Sequence, residues 1–394
     1  MAAFLAALAA LAALHPEPGA CATNLCNAEA LRPFLEALRP APEGTPRRLH
    51  ILQIGDSHTA GDMMTEAWRR RLQARFGHGG RGVLAGGRPY PGYLTWAVTA
   101  AQSDGWNVNA LFGAAYRAEG APLGLSGFTQ TARHRGESLA LAGDNVLEWF
   151  DRLTICAVAG RQGGAVRLRV GSAHLDWRLT AAECRTLDSV VPATSASLVT
   201  ADDRPVAVTS FAVFRRQGGA LLSNVGVPGA QLTHFGRTDE RVLAAELGAY
   251  RPDLMVLAFG TNEGFSPVLT ADVAEVELRA QVARLRRLAG DAVPILLLGA
   301  PDAARAGGGG TACGDGWSVP DLLGAVRERQ ERVARELGLG FWDWAAAMGG
   351  RCASSAWHRA GLMRGDHVHF TRAGGERIGA MIDADIMRAV EALH

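Results

Sequence analysis

Hydrophobic positions in this chain fall into two patterns that alternate along its length. Residues 48–54 (RLHILQI) read as a buried strand that Gly55 ends at a turn. From Thr59 to Phe76, Met63, Met64, Ala67, Trp68 and Leu72 recur at helical spacing, predicting one helix. The alternation resumes much later. Residues 254–259 (LMVLAF) predict a strand, 271–289 a charged amphipathic helix and 294–299 (PILLLG) another strand. A helix over 320–337, a short strand at 339–342 and a terminal helix over 373–393 follow. Continuous apolar strands alternating with helices imply a parallel sheet buried on both faces.

Residues 93–221 read differently. Short runs of alternating character dominate: Val166–Val170 (VRLRV), His174–Leu179 (HLDWRL) and Val206–Phe214 (VAVTSFAVF), with Gly, Asp, Ser and Pro clusters between them. That signature predicts an antiparallel β-sandwich. The α/β pattern lies on both sides of it, so the reading is an insertion. A catalytic α/β domain is expected over 23–92 and 222–394, split by a β-sandwich over 93–221.

Residues 2–14 form an apolar run of 13 residues, shorter than the ~20 a bilayer span needs. With Ala20 and Ala22 in an A-x-A relation, residues 1–22 are expected to be a signal peptide, placing the mature protein in the periplasm or otherwise outside the cytoplasm. No later run is long enough to span, so no integral membrane segment is expected. Cysteines stand at 21, 26, 156, 184, 313 and 352, none in a C-x-x-C pair. Export permits disulfides, and Cys156–Cys184 and Cys313–Cys352 each fall within one proposed domain. Cleavage after Ala22 would leave Cys26 without a partner.

At 394 residues, the chain has room for two or three domains at ~150 residues each. Its 40 basic and 39 acidic residues give a net charge of +1, with no electrostatic footprint for nucleic acid. All 40 basic residues are arginine. The absence of lysine excludes Schiff-base and pyridoxal-phosphate chemistry, a P-loop, a protein-kinase site and Ser-x-x-Lys acylases.

Four short segments at the ends of predicted strands carry the chemistry. Gly55-Asp56-Ser57-His58 follows the first strand and precedes a helix, which exposes a serine hydroxyl where α/β sheets bind ligands. Backbone N–H groups at the helix start can stabilise an oxyanion there, although Asp56 or Ser57 could equally just cap the helix. Asn224–Ala230 (NVGVPGA) supplies a glycine turn, and Gly260-Thr261-Asn262-Glu263 puts an amide at the same sheet edge. Near the end, Asp366 and His369 lie three apart on a turn, so the carboxylate can orient the ring. The other ring nitrogen can then take the Ser57 proton. Asp62 and Glu263, beside these motifs, are candidates for bonding the loops.

In these four blocks the sequence resembles the SGNH (GDSL-type) hydrolases. The resemblance implies Ser57 as nucleophile, His369 as general base and acid, and Asp366 as the residue orienting it. It implies an oxyanion hole of the Ser57 N–H, the Gly229 N–H and the Asn262 side chain, with no metal or organic cofactor. Gly229 lies 172 positions after Ser57, far more than in small members of the family. A long insertion at that point, with GDSH-T-A-G-D and an export signal, is similar to the bacterial peptidoglycan O-acetylesterases, whose insertion resembles a carbohydrate-binding module. The implied fold is a flavodoxin-like parallel sheet flanked by helices. The implied reaction removes acetyl groups from the C6 oxygen of N-acetylmuramoyl residues through an acetyl-enzyme. Other acetylated glycans and lipid esters are the alternative substrates.

Two readings from other classes compete. Asp56, His58, Asp62, His367 and His369 contain the elements of a two-metal phosphoesterase, but Asp62 follows Asp56 by only six positions and the expected asparagine–histidine pair is absent. A non-catalytic wall-binding protein is suggested by Trp96, Trp106, Trp149 and Trp177 in the predicted sandwich, although buried tryptophans usually fill a core.

Overall fold

The structure is a computed structural model in which residues 21–39, 47–160 and 163–393 are described. Residues 1–20, most of the expected signal peptide, lie outside the described residues. Five parallel strands form the central sheet: β1 (Arg48–Gly55), β2 (Gly219–Gly226), β3 (Leu254–Ala258), β4 (Ile295–Leu298) and β5 (Gly340–Trp342). Their spatial order is β2-β1-β3-β4-β5, the doubly wound order of flavodoxin-like folds. From Leu49 to Gly55, β1 is buried throughout, because helices cover both faces of the sheet. Helix α1 (Met63–Phe76) packs with α4 (Arg372–Glu391) over one face, and α2 (Ala271–Ala289) with α3 (Asp321–Leu337) over the other.

The sheet is not wholly parallel. Leu25–Cys26 adds to β5 in the antiparallel sense and carries Cys21–Ala22 beyond it. Cys21 is bridged to Cys26, a third disulfide beside Cys156–Cys184 and Cys313–Cys352. A mature end after Ala22 would remove one half of that bridge.

The helix expected over 59–76 is two helices. A single turn, Ser57–Ala60, is followed by α1, and Asp62 between them takes the left-handed conformation with φ 51°. The physical cause is the Asp62 carboxylate, which is turned inward and fully buried. There it accepts from the guanidinium groups of Arg69 (3.0 Å) and Arg81 (2.8 Å) and from the Thr65 hydroxyl (2.6 Å). Arg81 also donates to Asn224 Oδ1 (2.8 Å) and to the Trp96 carbonyl (2.8 Å), tying the loop after Ser57 to β2 and to the chain leaving the sheet.

Between β1 and β2 the chain forms antiparallel sheets. One runs Ala173–Arg178, Ala165–Val170, Ser195–Thr200, Ser138–Gly143, Val98–Gln102. The other runs Ala182–Ala193, Phe150–Ala159, Val206–Phe214, Phe128–Ala132, Asn107–Ala110, with Gly80–Leu84 also paired to Val206–Phe214. Leu139, Leu168 and Leu198 of the first sheet share a buried cluster with Leu153, Ile155 and Phe211 of the second. Trp106 and Trp177 fill this core, whereas Trp96 and Trp149 lie beneath the guanidinium groups of Arg372 and Arg215.

Candidate active site

Gly55 ends β1 between the ends of β2 and β3, where its register partners are Gly226 and Ala258. This is the point at which strand order reverses, and the helices on either side leave a crevice there. A Cβ at Gly226 would sit 2.3 Å from the Ala60 nitrogen, so only glycine lets β2 pass so close to the turn bearing Ser57. Asp56 caps that turn by accepting the His58 N–H at 2.9 Å. With only four residues, the turn lends little macrodipole, and local N–H groups do the work expected of a longer helix.

Ser57 Oγ lies 3.0 Å from His369 Nε2, and His369 Nδ1 lies 2.8 Å from Asp366 Oδ2. The other Asp366 oxygen accepts the backbone N–H groups of Val368 (3.0 Å) and His369 (2.9 Å). Burial alone would raise the Asp366 carboxyl; those N–H groups and the His369 ring outweigh it and hold it below the usual carboxylate range. Asp366 therefore stays ionised and keeps the proton of His369 on Nδ1, leaving Nε2 free to accept from Ser57.

The other two expected residues converge on the same place. Gly229 follows β2 at φ 77°, a left-handed conformation open to glycine, and a Cβ there would strike the Phe112 ring at 2.7 Å. Asn262, just after β3, donates from Nδ2 to the Ala230 carbonyl at 3.0 Å, while its second N–H points toward Asp56 Oδ2 at a long 3.5 Å. That weakly held N–H is available to an oxyanion. Gln231 Nε2 donates to the Asn262 carbonyl (3.0 Å), and Glu263 accepts from the Leu232 (2.7 Å) and Gly260 (2.9 Å) N–H groups. Burial pushes the Glu263 carboxyl up to about 7.

His367 does not join His369. Its ring turns away to stack on Trp317 at 3.8 Å, beside Ser355 and His358. Among the described residues no group of three or more His, Cys, Asp or Glu side chains is spaced to hold a metal. The cleft over Ser57, about 190 Å³, is walled by Tyr90, Leu94, Met63 and Phe370, with Arg364 as its one arginine. Sequence reasoning missed Tyr90, Leu94, Phe112 and Arg364; of these only Arg364, two residues before Asp366, carried a signal.

A serine, an imidazole and a carboxylate bonded in sequence beside amide donors constitute a carboxylic ester hydrolase site. The sequence model of the GDSL-like Lipase/Acylhydrolase family matches residues 194–377, which hold Gly229, Asn262, Asp366 and His369. The match omits Ser57, which the antiparallel strands separate from the rest. A solved structure of a peptidoglycan O-acetylesterase in action is 26% identical, covering 94% of this chain and 100% of that one with a TM-score of 0.78. Family two carbohydrate esterases from Clostridium thermocellum (13% identity, 67% of this chain and 95% of that one) and Cellvibrio japonicus (12%, 75% and 99%) overlay only at a TM-score of 0.30. No curated protein matches the chain. By that family model over part of its length and the near-complete overlay on a peptidoglycan O-acetylesterase, the chain is similar to the SGNH (GDSL-type) hydrolases.

Proposed function

We propose that the protein is an exported peptidoglycan O-acetylesterase that removes acetyl groups from the C6 oxygen of N-acetylmuramoyl residues. The observation that carries the esterase reading is the Ser57–His369–Asp366 chain of contacts at 3.0 and 2.8 Å. The near-complete overlay on a peptidoglycan O-acetylesterase supports the substrate. Arg364, at the mouth of the cleft, suits a glycan whose peptide stems carry carboxylates. The strands between β1 and β2 are read as an inserted β-sandwich like a carbohydrate-binding module. Residues 23–92 and 222–394 are read as the catalytic domain.

Ser57 Oγ attacks the acetyl carbonyl as His369 Nε2 takes its proton, and the oxyanion forms among the Ser57 N–H, the Gly229 N–H and Asn262 Nδ2. His369 returns the proton to the departing C6 oxygen, leaving acetyl-Ser57. Water then attacks this ester with His369 again as base, and His369 passes that proton to Ser57 Oγ as its bond to the acyl carbon breaks, releasing acetate and restoring the free serine. Asp366 orients His369 throughout and stabilises the imidazolium each time it forms. No step calls for a metal, and turnover should survive exhaustive chelation; loss with recovery on metal addition would overturn the mechanism.

The deciding experiment measures acetate release from O-acetylated peptidoglycan, with acetyl-xylan and longer p-nitrophenyl esters alongside. Peptidoglycan should be the best substrate, and Ser57→Ala should lose about 10⁴-fold or more. Preference for xylan or long acyl chains would replace the substrate assignment. For export, deleting residues 1–20 should retain the protein in the cytoplasm; unchanged fractionation would refute it.

A further inference from the structure

His58 has no part in the reaction just described, yet it touches both turns that carry it. Its side chain is 3% exposed. Nδ1 lies 3.2 Å from Asp56 Oδ1, and Nε2 lies 2.9 Å from the Val368 carbonyl oxygen. Both partners are acceptors. A neutral imidazole has one N–H and one lone pair, so it would aim that lone pair at an oxygen with nothing to donate. Only the imidazolium, with two N–H groups, satisfies both contacts.

His50, near the start of β1, shows the other solution. It is also fully buried, but its Nε2 meets the Ser223 hydroxyl at 2.8 Å, which can donate, and its Nδ1 donates to the Tyr250 carbonyl at 3.0 Å. Burial and the charge of Arg48 push His50 down to about 3, and it stays neutral. At His58 burial pulls the same way, but the charge and hydrogen bond of Asp56, the Val368 carbonyl and the charge of Asp366 outweigh it and raise the ring above its ordinary value.

We propose that His58 is a positioning residue held as an imidazolium, latching the turn that carries Asp366 and His369 onto the turn that carries Ser57. Val368 immediately precedes His369, so a bond to its carbonyl fixes the peptide from which the base projects. At the other end, His58 occupies Asp56 Oδ1, the carboxylate whose second oxygen faces Asn262. The charged or titratable groups facing His58 are Asp56 on its own turn and, from the turn 364–370, Asp366 and His369, whose ring is 5.6 Å away. Trp344 and Phe370 close the remaining faces with uncharged rings at 5.4 and 5.5 Å. Arg364 lines the same cleft. The inference rests on Ser57 and His369 being nucleophile and base.

Nitrogen-15 NMR of histidine-labelled protein at about pH 7 should show both His58 ring nitrogens protonated, whereas a neutral tautomer would overturn the proposal. His58→Leu should lower kcat for p-nitrophenyl acetate about 100-fold with little change in KM, because a shift of about 1 Å in the base costs that much. His58→Gln, which can still donate to Val368, should recover part of the loss. Wild type should also lose activity on an alkaline limb as His58 gives up its proton, and that limb should be absent in His58→Gln. Full activity in His58→Leu, or the same alkaline limb in His58→Gln, would remove the latch. Should His58→Leu fail to fold, the wild-type NMR spectrum still decides. Full activity in Ser57→Ala would instead condemn the esterase mechanism, a result independent of the protonation state of His58.

Discussion

Every residue of β3 is buried, and so is every residue of Val206–Phe214, but for different reasons. Strand β3 sits inside a parallel sheet covered by helices on both faces. Val206–Phe214 is antiparallel: Val206, Val208, Phe211 and Val213 face the core between the two antiparallel sheets, while Ala212 and Phe214 face the α/β core. Both strands are equally dry, yet only β3 leads straight into a proposed site residue, Asn262 just beyond its end. Parallel strands all finish at one edge, so loops from β1, β2 and β3 meet there. Antiparallel strands finish alternately at opposite edges, and what this region gives the site is wall: Tyr90 and Leu94 from the chain entering it, and Phe112 from a loop within it.

The largest test breaks the join between the two regions. Asp62→Ala leaves the guanidinium groups of Arg69 and Arg81 buried without their carboxylate, and such a loss costs about 3–5 kcal/mol. Urea unfolding should show it as a lowered midpoint. An unchanged midpoint would mean the Arg69–Asp62–Arg81 network does not hold the loop after Ser57 to the antiparallel strands. Next in size, Asn262→Ala should reduce kcat about 100-fold on any acetyl ester, the usual effect of losing one oxyanion donor. A near-normal rate would take Asn262 out of its role and reduce the advantage of the parallel edge.

Glu263 supplies a pH test on that same edge. Its folded value of about 7 lies above the ordinary carboxyl value of 4.5, so the native state holds this proton more tightly than the unfolded chain. The stability so gained is present in full below about 4.5 and is lost as pH rises through about 7. The loss is of order 3 kcal/mol, and Glu263→Gln should remove it. Denaturation midpoints at several pH values would measure both, and an equal slope in the variant would assign the pH dependence elsewhere.

The same contrast explains what the sequence made legible. Ser57 and Asn262 each sit in a short segment just after an apolar strand, and Asp366 and His369 in one just before the last helix, so local pattern and required chemistry coincide. The parallel order follows from strands alternating with helices. Residues 59–76 read as one helix because the break at Asp62 depends on Arg81, which comes from a later strand. The Cys21–Cys26 bridge depends on an edge hairpin too short to give a pattern. The contact of His58 with Val368 runs to a backbone carbonyl, which no side-chain motif reveals. Phe112 is hidden for a similar reason: it sits in a loop whose place over Gly229 is set by how two sheets dock.

Phe112 offers the finest test of that division. Its ring is 38% exposed, stacks on His234 at 4.5 Å and covers the α-carbon of Gly229, whose N–H is the expected oxyanion donor. His234 accepts the Gln231 N–H at 2.9 Å, and Gln231 in turn holds Asn262, so the ring braces the oxyanion loop while limiting space above it. Phe112→Ala should therefore do two small things at once. Opening the space should raise the butyryl-to-acetyl preference in kcat/KM by about 10-fold, the scale on which one or two methylenes are discriminated. Loosening the brace should lower acetyl turnover by a smaller factor. If both substrates fall equally, the antiparallel region contributes only support; if neither changes, the wall over Gly229 belongs to the parallel edge alone.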